Sequence, residues 1–321
     1  MIKVLDFYRV LGTLMIFLCH IPFIPANKLG MIGLELFFVL SGFTIYLGYG
    51  NKSLKFSPFF KKRLIKIYPV YIITTLLGLV YMVFVLGYEP LLTLLKLIPH
   101  ALCIQTLFPI GGLPTAFNGA AWYIATLLFC YLGFFFFNKC HRKAVFFVCY
   151  WILYFTLFIN IDNHNFQYFS PFCRFADFFI GVFFAWLYKK YQLHSSTTSF
   201  TIIELLLILM IAAYYVMRDV MSLDRLLLCV LLGLVYYVSS FEKGLISKCL
   251  NNKLIIFLAK YSLYFYLVHY LIIQTFIQYV HLEIGFTYVN ILCILFLFGM
   301  SGITAFLLRA ADKKIQSRLN T

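Results

Sequence analysis

Ten apolar stretches of 17–25 residues follow one another between residues 4 and 309. They run 4–24, 30–49, 67–87, 118–138, 144–161, 172–188, 200–217, 224–240, 255–279 and 287–309. Crossing the hydrocarbon core takes about 20 apolar residues in a helix. Inside it every backbone N–H and C=O must find an internal partner, which leaves helices as the economical solution. The pattern predicts an all-α, polytopic transmembrane helical bundle of about ten spans. Composition excludes a water-soluble domain, with 63% hydrophobic and 12% charged residues. Residues 88–117, interrupted by Pro90, Pro99, Gly111, Gly112 and Pro114, read as a helical or re-entrant excursion outside the membrane core. The first apolar run has no clear small-residue cleavage site and is followed by many others, which argues against a cleaved signal peptide. The nine cysteines lie mostly in apolar segments, without metal-ligand spacing or a paired framework, so no metal site is expected.

A net charge of +15 invites a nucleic-acid partner, but its distribution points to membrane topology. With both termini cytoplasmic, the inner segments carry 19 Lys and Arg and the outer ones four: Lys28, Lys96, Arg218 and Arg225. Arg9, Arg174 and Lys260 stay within spans. This asymmetry is the positive-inside pattern, and it explains the basic pI without nucleic acid. It makes membrane lipids the protein's surroundings.

The chemistry concentrates between Leu5 and Phe43, where Asp6, Arg9, His20, Glu35 and Ser41 interrupt two strongly apolar runs. An ionisable group in a membrane helix is costly unless it faces a protein interior or a water-filled cavity, so its default reading is functional. Arg9 and His20 project within about 20° of each other on one helix face and lie roughly 16 Å apart along the axis. That suits a long, thin ligand with an anionic end.

The first inner loop carries a second pattern. Phe56, Phe59, Phe60, Leu64 and Ile67 recur at helical spacing, predicting a basic amphipathic helix over 56–67 at the cytoplasmic interface. Lys61 and Lys62 suit anionic headgroups, whereas Arg63 falls on the apolar side with Lys66 three residues on. A guanidinium and an ammonium turned inward fit a phosphate. The alternative for the cluster is a positive-inside anchor.

Arg9 and His20, followed by the Gly33-to-Phe43 stretch, resemble the membrane acyltransferase 3 family, which transfers acyl groups from acyl-CoA to cell-envelope glycans and related acceptors. The likeness extends over nearly the whole chain. The family's Arg-x-x-Arg appears as Arg63 and Lys66 ahead of Pro69, keeping the charge but losing one guanidinium fork. Asn118 to Tyr123, with Trp122, matches a family stretch but lacks the Glu that commonly follows; Trp122 and Tyr123 equally fit an interfacial aromatic belt. Residues 171–181, with Arg174 and Asp177 set to pair, and 258–269, ending on His269, also match. The family's C-terminal Glu-x-Pro is missing, with Asp312 the nearest counterpart.

The resemblance implies a single integral-membrane acyltransferase domain over 1–321, moving an acetyl group from cytoplasmic acetyl-CoA to a hydroxyl of a surface polysaccharide or lipid-linked sugar. Acetyl-CoA is then a donor substrate, with no permanently bound cofactor. It assigns His20, Arg9 and Glu35 to catalysis and Arg63, Lys66 and Ser41 to donor binding. Trp122, Arg174, Asp177 and His269 are secondary candidates. His20 serves as general base or as transient acyl carrier. A secondary transporter or glycan flippase is the main alternative, since transporters share polytopic helices with intramembrane charges. A structural subunit of an export complex is another, and it predicts dispensable Arg9 and His20.

Overall fold

The computed structural model describes residues 2–193, 195–221 and 224–319; His194, left without a role by the sequence, lies outside them. Among the described residues there are α-helices and no strands. In chain order the helices are α1 (Val4–Cys19), α2 (Leu29–Tyr49), α3 (Phe56–Val80), α4 (Pro90–Ala101), α5 (Trp122–Lys139), α6 (Lys143–Leu153), α7 (His164–Phe169), α8 (Pro171–Lys190), α9 (Thr197–Met221), α10 (Arg225–Ser239), α11 (Leu245–Leu250), α12 (Lys253–Ala259), α13 (Ser262–Tyr279) and α14 (Tyr288–Leu319).

Each of the ten apolar stretches has its helix, but length separates them. Among the described residues six helices are long and apolar enough to cross a membrane, and the pair α12–α13, bent by 59°, brings a seventh if it forms one span. α1 has 16 residues and α10 has 15, or roughly 24 Å of rise where the hydrocarbon layer is about 30 Å thick. The sequence expectation of a separate amphipathic helix at 56–67 meets a different arrangement. Residues 56–80 form one continuous helix through Pro69, extended by a π-helical turn at Tyr81–Val85. Within it Phe59 and Ile67 are buried while Phe56 and Leu64 are exposed.

The chain clusters into two compact units. The first comprises the residues up to Cys19, Lys28–Lys52 and Phe175–Ser262. Its helices approach at glycines. A Cβ on Gly42 would lie 1.8 Å from the Phe178 carbonyl oxygen, and one on Gly181 would lie 1.9 Å from that of Val39. The α2 and α8 backbones therefore touch reciprocally, the close approach that small residues allow in membrane helices.

The second unit comprises His20–Asn27, Ser53–Arg174 and Leu263–Thr321. The broken segment after α3 is ordered by polar contacts. Glu89 caps α4 by accepting from the Leu91 and Leu92 amides, with Pro90 at the first helical position. Tyr71 Oη donates to the His100 carbonyl at 2.8 Å, and Gln105 Nε2 donates to Tyr71 Oη at 2.9 Å. His100, without a role in the sequence reading, is wholly buried and its Nε2 donates to the Leu113 carbonyl at 2.8 Å, tying the loop back to α4. Burial pushes the His100 imidazole down to about 4.

Two predictions follow from this packing. Gly181→Ala should lower the thermal midpoint and the folded yield, since overpacking costs about 1–3 kcal/mol and here the obstacle is backbone. Gly48→Ala, with nothing within 4 Å of the added methyl, should be neutral or slightly stabilising. Similar losses in both would contradict the crossing. The second concerns pH. An unfolded His100 takes a proton near 6.5 and the folded one only near 4, so its neutral-state stability is full above pH 6.5 and declines as pH falls toward 4. At pH 5 the loss is about 2 kcal/mol. Hydrogen exchange of 101–113, corrected for intrinsic rates, should accelerate over this window in the native protein and not in His100→Gln; equal pH dependence in the two would contradict the assignment.

Candidate active site

α1 ends at Cys19, so His20 stands in the turn just beyond the helix rather than within it, as the sequence had predicted. Its ring is half-buried in the second unit. His20 Nδ1 lies 3.1 Å from Nε2 of His269, and the Tyr270 ring meets it edge-on at 5.1 Å between centroids. His269, a secondary candidate on sequence grounds, is wholly buried in α13, and its Nδ1 lies 3.2 Å from the Phe265 carbonyl oxygen. α13 is fixed on both sides of it. Asn118 Nδ2 donates to the Leu267 carbonyl and Tyr266 Oη to the Ala120 carbonyl, each at 2.7 Å. The Asn118–Ala121 turn is thereby tied to α13. A Cβ at Gly119 would lie 2.4 Å from Tyr270 Cζ, so any side chain here would displace the Tyr270 ring.

Trp122 is buried, which removes it from an interfacial belt. It packs against Tyr168 and Phe169, and the Arg174 guanidinium lies over the Trp122 and Tyr168 rings at 5.7 and 4.8 Å. Arg174 Nε donates to the Tyr168 carbonyl at 2.6 Å. Arg63 also lies on aromatic faces, 5.5 Å from Phe59 and 5.4 Å from Tyr131, while Lys61, Lys62 and Lys66 are exposed. The inward turn expected of Arg63 is present; that of Lys66 is not.

In the first unit Arg9 pairs with Asp6 one turn earlier. The two residues stand at i,i+3 spacing, so helix periodicity alone allows this pair. Thr13 Oγ1 donates to the Arg9 carbonyl at 2.8 Å. Ser41 is half-buried in α2, and its carbonyl accepts from Thr44 Oγ1 at 3.3 Å. Glu35, one turn and a half earlier, is wholly buried with Asp177 and Cys229. Arg225, which the sequence had placed in an outer loop, begins α10 and sends its guanidinium into this group. Its Nε lies 3.2 Å from Asp177 Oδ1 and 4.0 Å from Glu35 Oε1. The Cys229 thiol donates to Glu35 Oε2 at 3.7 Å. Neither Arg225 nor Cys229 carried a sequence signal, since Glu35 is 194 residues from Cys229 and even Asp177 lies several helical turns and a loop away from Arg225.

A family model described as "Acyltransferase domain" matches residues 2–309, nearly the whole chain. The chain belongs to the acyltransferase 3 family. Searches of curated proteins and of solved structures returned no match. This acyltransferase is an integral membrane protein, given its family and its apolar helices. All ten residues singled out from the sequence fall inside the matched range.

Ligand atoms of Glu35, Asp177 and Cys229 lie within 4.8 Å of one another, close enough to share a cation. The acyltransferase already supplies one there in the Arg225 guanidinium. We therefore read the group as a buried ion network in which one arginine lies between two carboxyl groups. Removing one partner of such a network leaves an uncompensated charge, at a cost of about 3–5 kcal/mol. Arg225→Leu should accordingly collapse folded yield and thermal stability, and adding Asp177→Asn should recover part of the loss. A fully stable Arg225→Leu protein would contradict this reading.

Proposed function

We propose that this acyltransferase moves an acetyl group from cytoplasmic acetyl-CoA to a hydroxyl of an envelope polysaccharide or lipid-linked sugar, in a bacterial inner membrane with both termini inside. One observation carries the reading. A half-buried imidazole, His20, is held at the end of a short apolar helix by a wholly buried second imidazole. Family membership supplies the reaction class.

In this reading His20 takes the proton from the acceptor hydroxyl as its oxygen attacks the thioester carbonyl. The tetrahedral intermediate collapses with loss of the CoA thiolate. The imidazolium returns the proton to sulfur, leaving an O-acetyl ester, CoA thiol and neutral His20. Arg63, in the same unit, serves the donor phosphates with Lys66 in support, because its guanidinium sits on aromatic faces instead of extending to headgroups. By the family resemblance Arg9 and Glu35 are assigned to catalysis and Ser41 to donor binding. The ten-span topology is part of this reading, with spans built on α1, on α10 and on Lys143–Phe158, which is α6 continued by a π-helical turn.

His20→Ala should abolish envelope O-acetylation, a loss of at least about 10²-fold, with normal expression and membrane insertion. The measurement is O-acetyl content of glycans from cells carrying the native or variant gene; near-native acetylation would overturn the role of His20. Arg63→Ala should raise the apparent KM for acetyl-CoA several-fold more than Lys61→Ala. Equal effects would reduce the basic cluster to a positive-inside anchor.

A further inference from the structure

We propose that His269 is a positioning residue that fixes the tautomer of His20, so that His20 presents Nε2, and not Nδ1, as its basic nitrogen. The proposal rests on the reading of His20 as proton acceptor, and it is argued from hydrogen-bond counting.

The count starts at Phe265. Its backbone carbonyl oxygen has no proton to give, so in the 3.2 Å contact with His269 the ring nitrogen Nδ1 must carry the hydrogen. A neutral imidazole carries one N–H. His269 is wholly buried, where the neutral ring is the form of least cost. Its Nε2 is then a lone pair. The 3.1 Å contact between that Nε2 and His20 Nδ1 needs one hydrogen, which must come from His20. Having its single hydrogen on Nδ1, neutral His20 keeps its lone pair on Nε2. An imidazole side chain in water favours the opposite tautomer, so this chain of contacts imposes a choice the isolated residue would not make.

The surrounding geometry makes the imposition firm. The acceptor carbonyl belongs to the residue one turn earlier on the same helix, so its position relative to His269 is set by α13. Asn118 and Tyr266 clamp that helix to the Asn118–Ala121 turn through residues 267 and 266, within one turn before His269. Tyr270, directly after it, closes on the His20 ring edge-to-face. The arrangement is the imidazole counterpart of a base whose tautomer is set by the hydrogen bond at its other nitrogen.

Substitutions separate hydrogen bonding from space filling. In His269→Gln the amide reaches the position of Nε2, and its oxygen can accept from His20 Nδ1–H. In His269→Leu the volume remains and the acceptor goes. The first readout is nitrogen-15 NMR of protein with ring-labelled histidine, with His20→Ala assigning the signal. It requires no acyl transfer, so its failure is distinct from failure of the proposed activity. His20 should show a protonated Nδ1 and a bare Nε2 in the native protein and in His269→Gln, and should shift toward the Nε2–H form in His269→Leu. A native His20 with its hydrogen on Nε2 overturns the proposal even if acyl transfer is found. The second readout is acetyl transfer. His269→Leu should lose about 10²-fold in kcat with donor KM within threefold, and His269→Gln should recover to within about tenfold of native. Equal losses in the two folded variants, or native kcat in His269→Leu, overturn it. If His269→Leu does not fold, the tautomer in the native and His269→Gln proteins decides.

Discussion

A polar group in the hydrocarbon layer has no water to turn to, so the protein must supply its partner. That constraint organises this molecule more than any single packed layer does. Two carboxylates and an arginine meet at Glu35, Asp177 and Arg225. Tyr266 and Asn118 satisfy backbone carbonyls across elements more than 140 residues apart. Two imidazoles answer each other at His20 and His269. Arg63 and Arg174 lay their guanidinium planes on aromatic rings, an option open to arginine and poorly available to lysine.

Backbone contact at glycines makes these polar meetings possible. The reciprocal approach of Gly42 and Gly181 brings α2 and α8 together within the first unit. It sets the helices that carry Glu35 and Asp177 at a spacing where short side chains reach a common arginine. In the second unit Gly119 lets Tyr270 close on the turn before α5, and the same ring borders His20. Local glycine placement and intramembrane chemistry are thus parts of one arrangement in each unit.

Much of this was legible in the sequence. Apolar runs gave a helix at every predicted place, because hydropathy reports the one property that membrane helices share. His20, Glu35, Arg174, Asp177 and His269 stood out as polar residues in those runs. What stayed hidden depended on distance along the chain or on helix ends. The close of α1 before His20 and the merging of 56–67 into α3 are decided by tertiary context, which a periodicity cannot show. Arg225 read as loop charge because its partners lie far away in sequence. Asp6 and Arg9 are within reach of the i,i+3 rule, and their pair needs no tertiary context. The pairing of His20 with His269, 249 residues apart, carries no sequence signal of its own.

The central claim is thioester cleavage that depends on His20. The direct measurement follows release of CoA thiol from acetyl-CoA by purified protein in lipid bilayers, with and without a hydroxyl-bearing envelope glycan. The account predicts acceptor-dependent thiol release by the native protein, matched mole for mole by O-acetyl ester on the glycan, and none by His20→Ala. Thiol release that persists undiminished in His20→Ala, or glycan movement across the bilayer without ester formation, would contradict it.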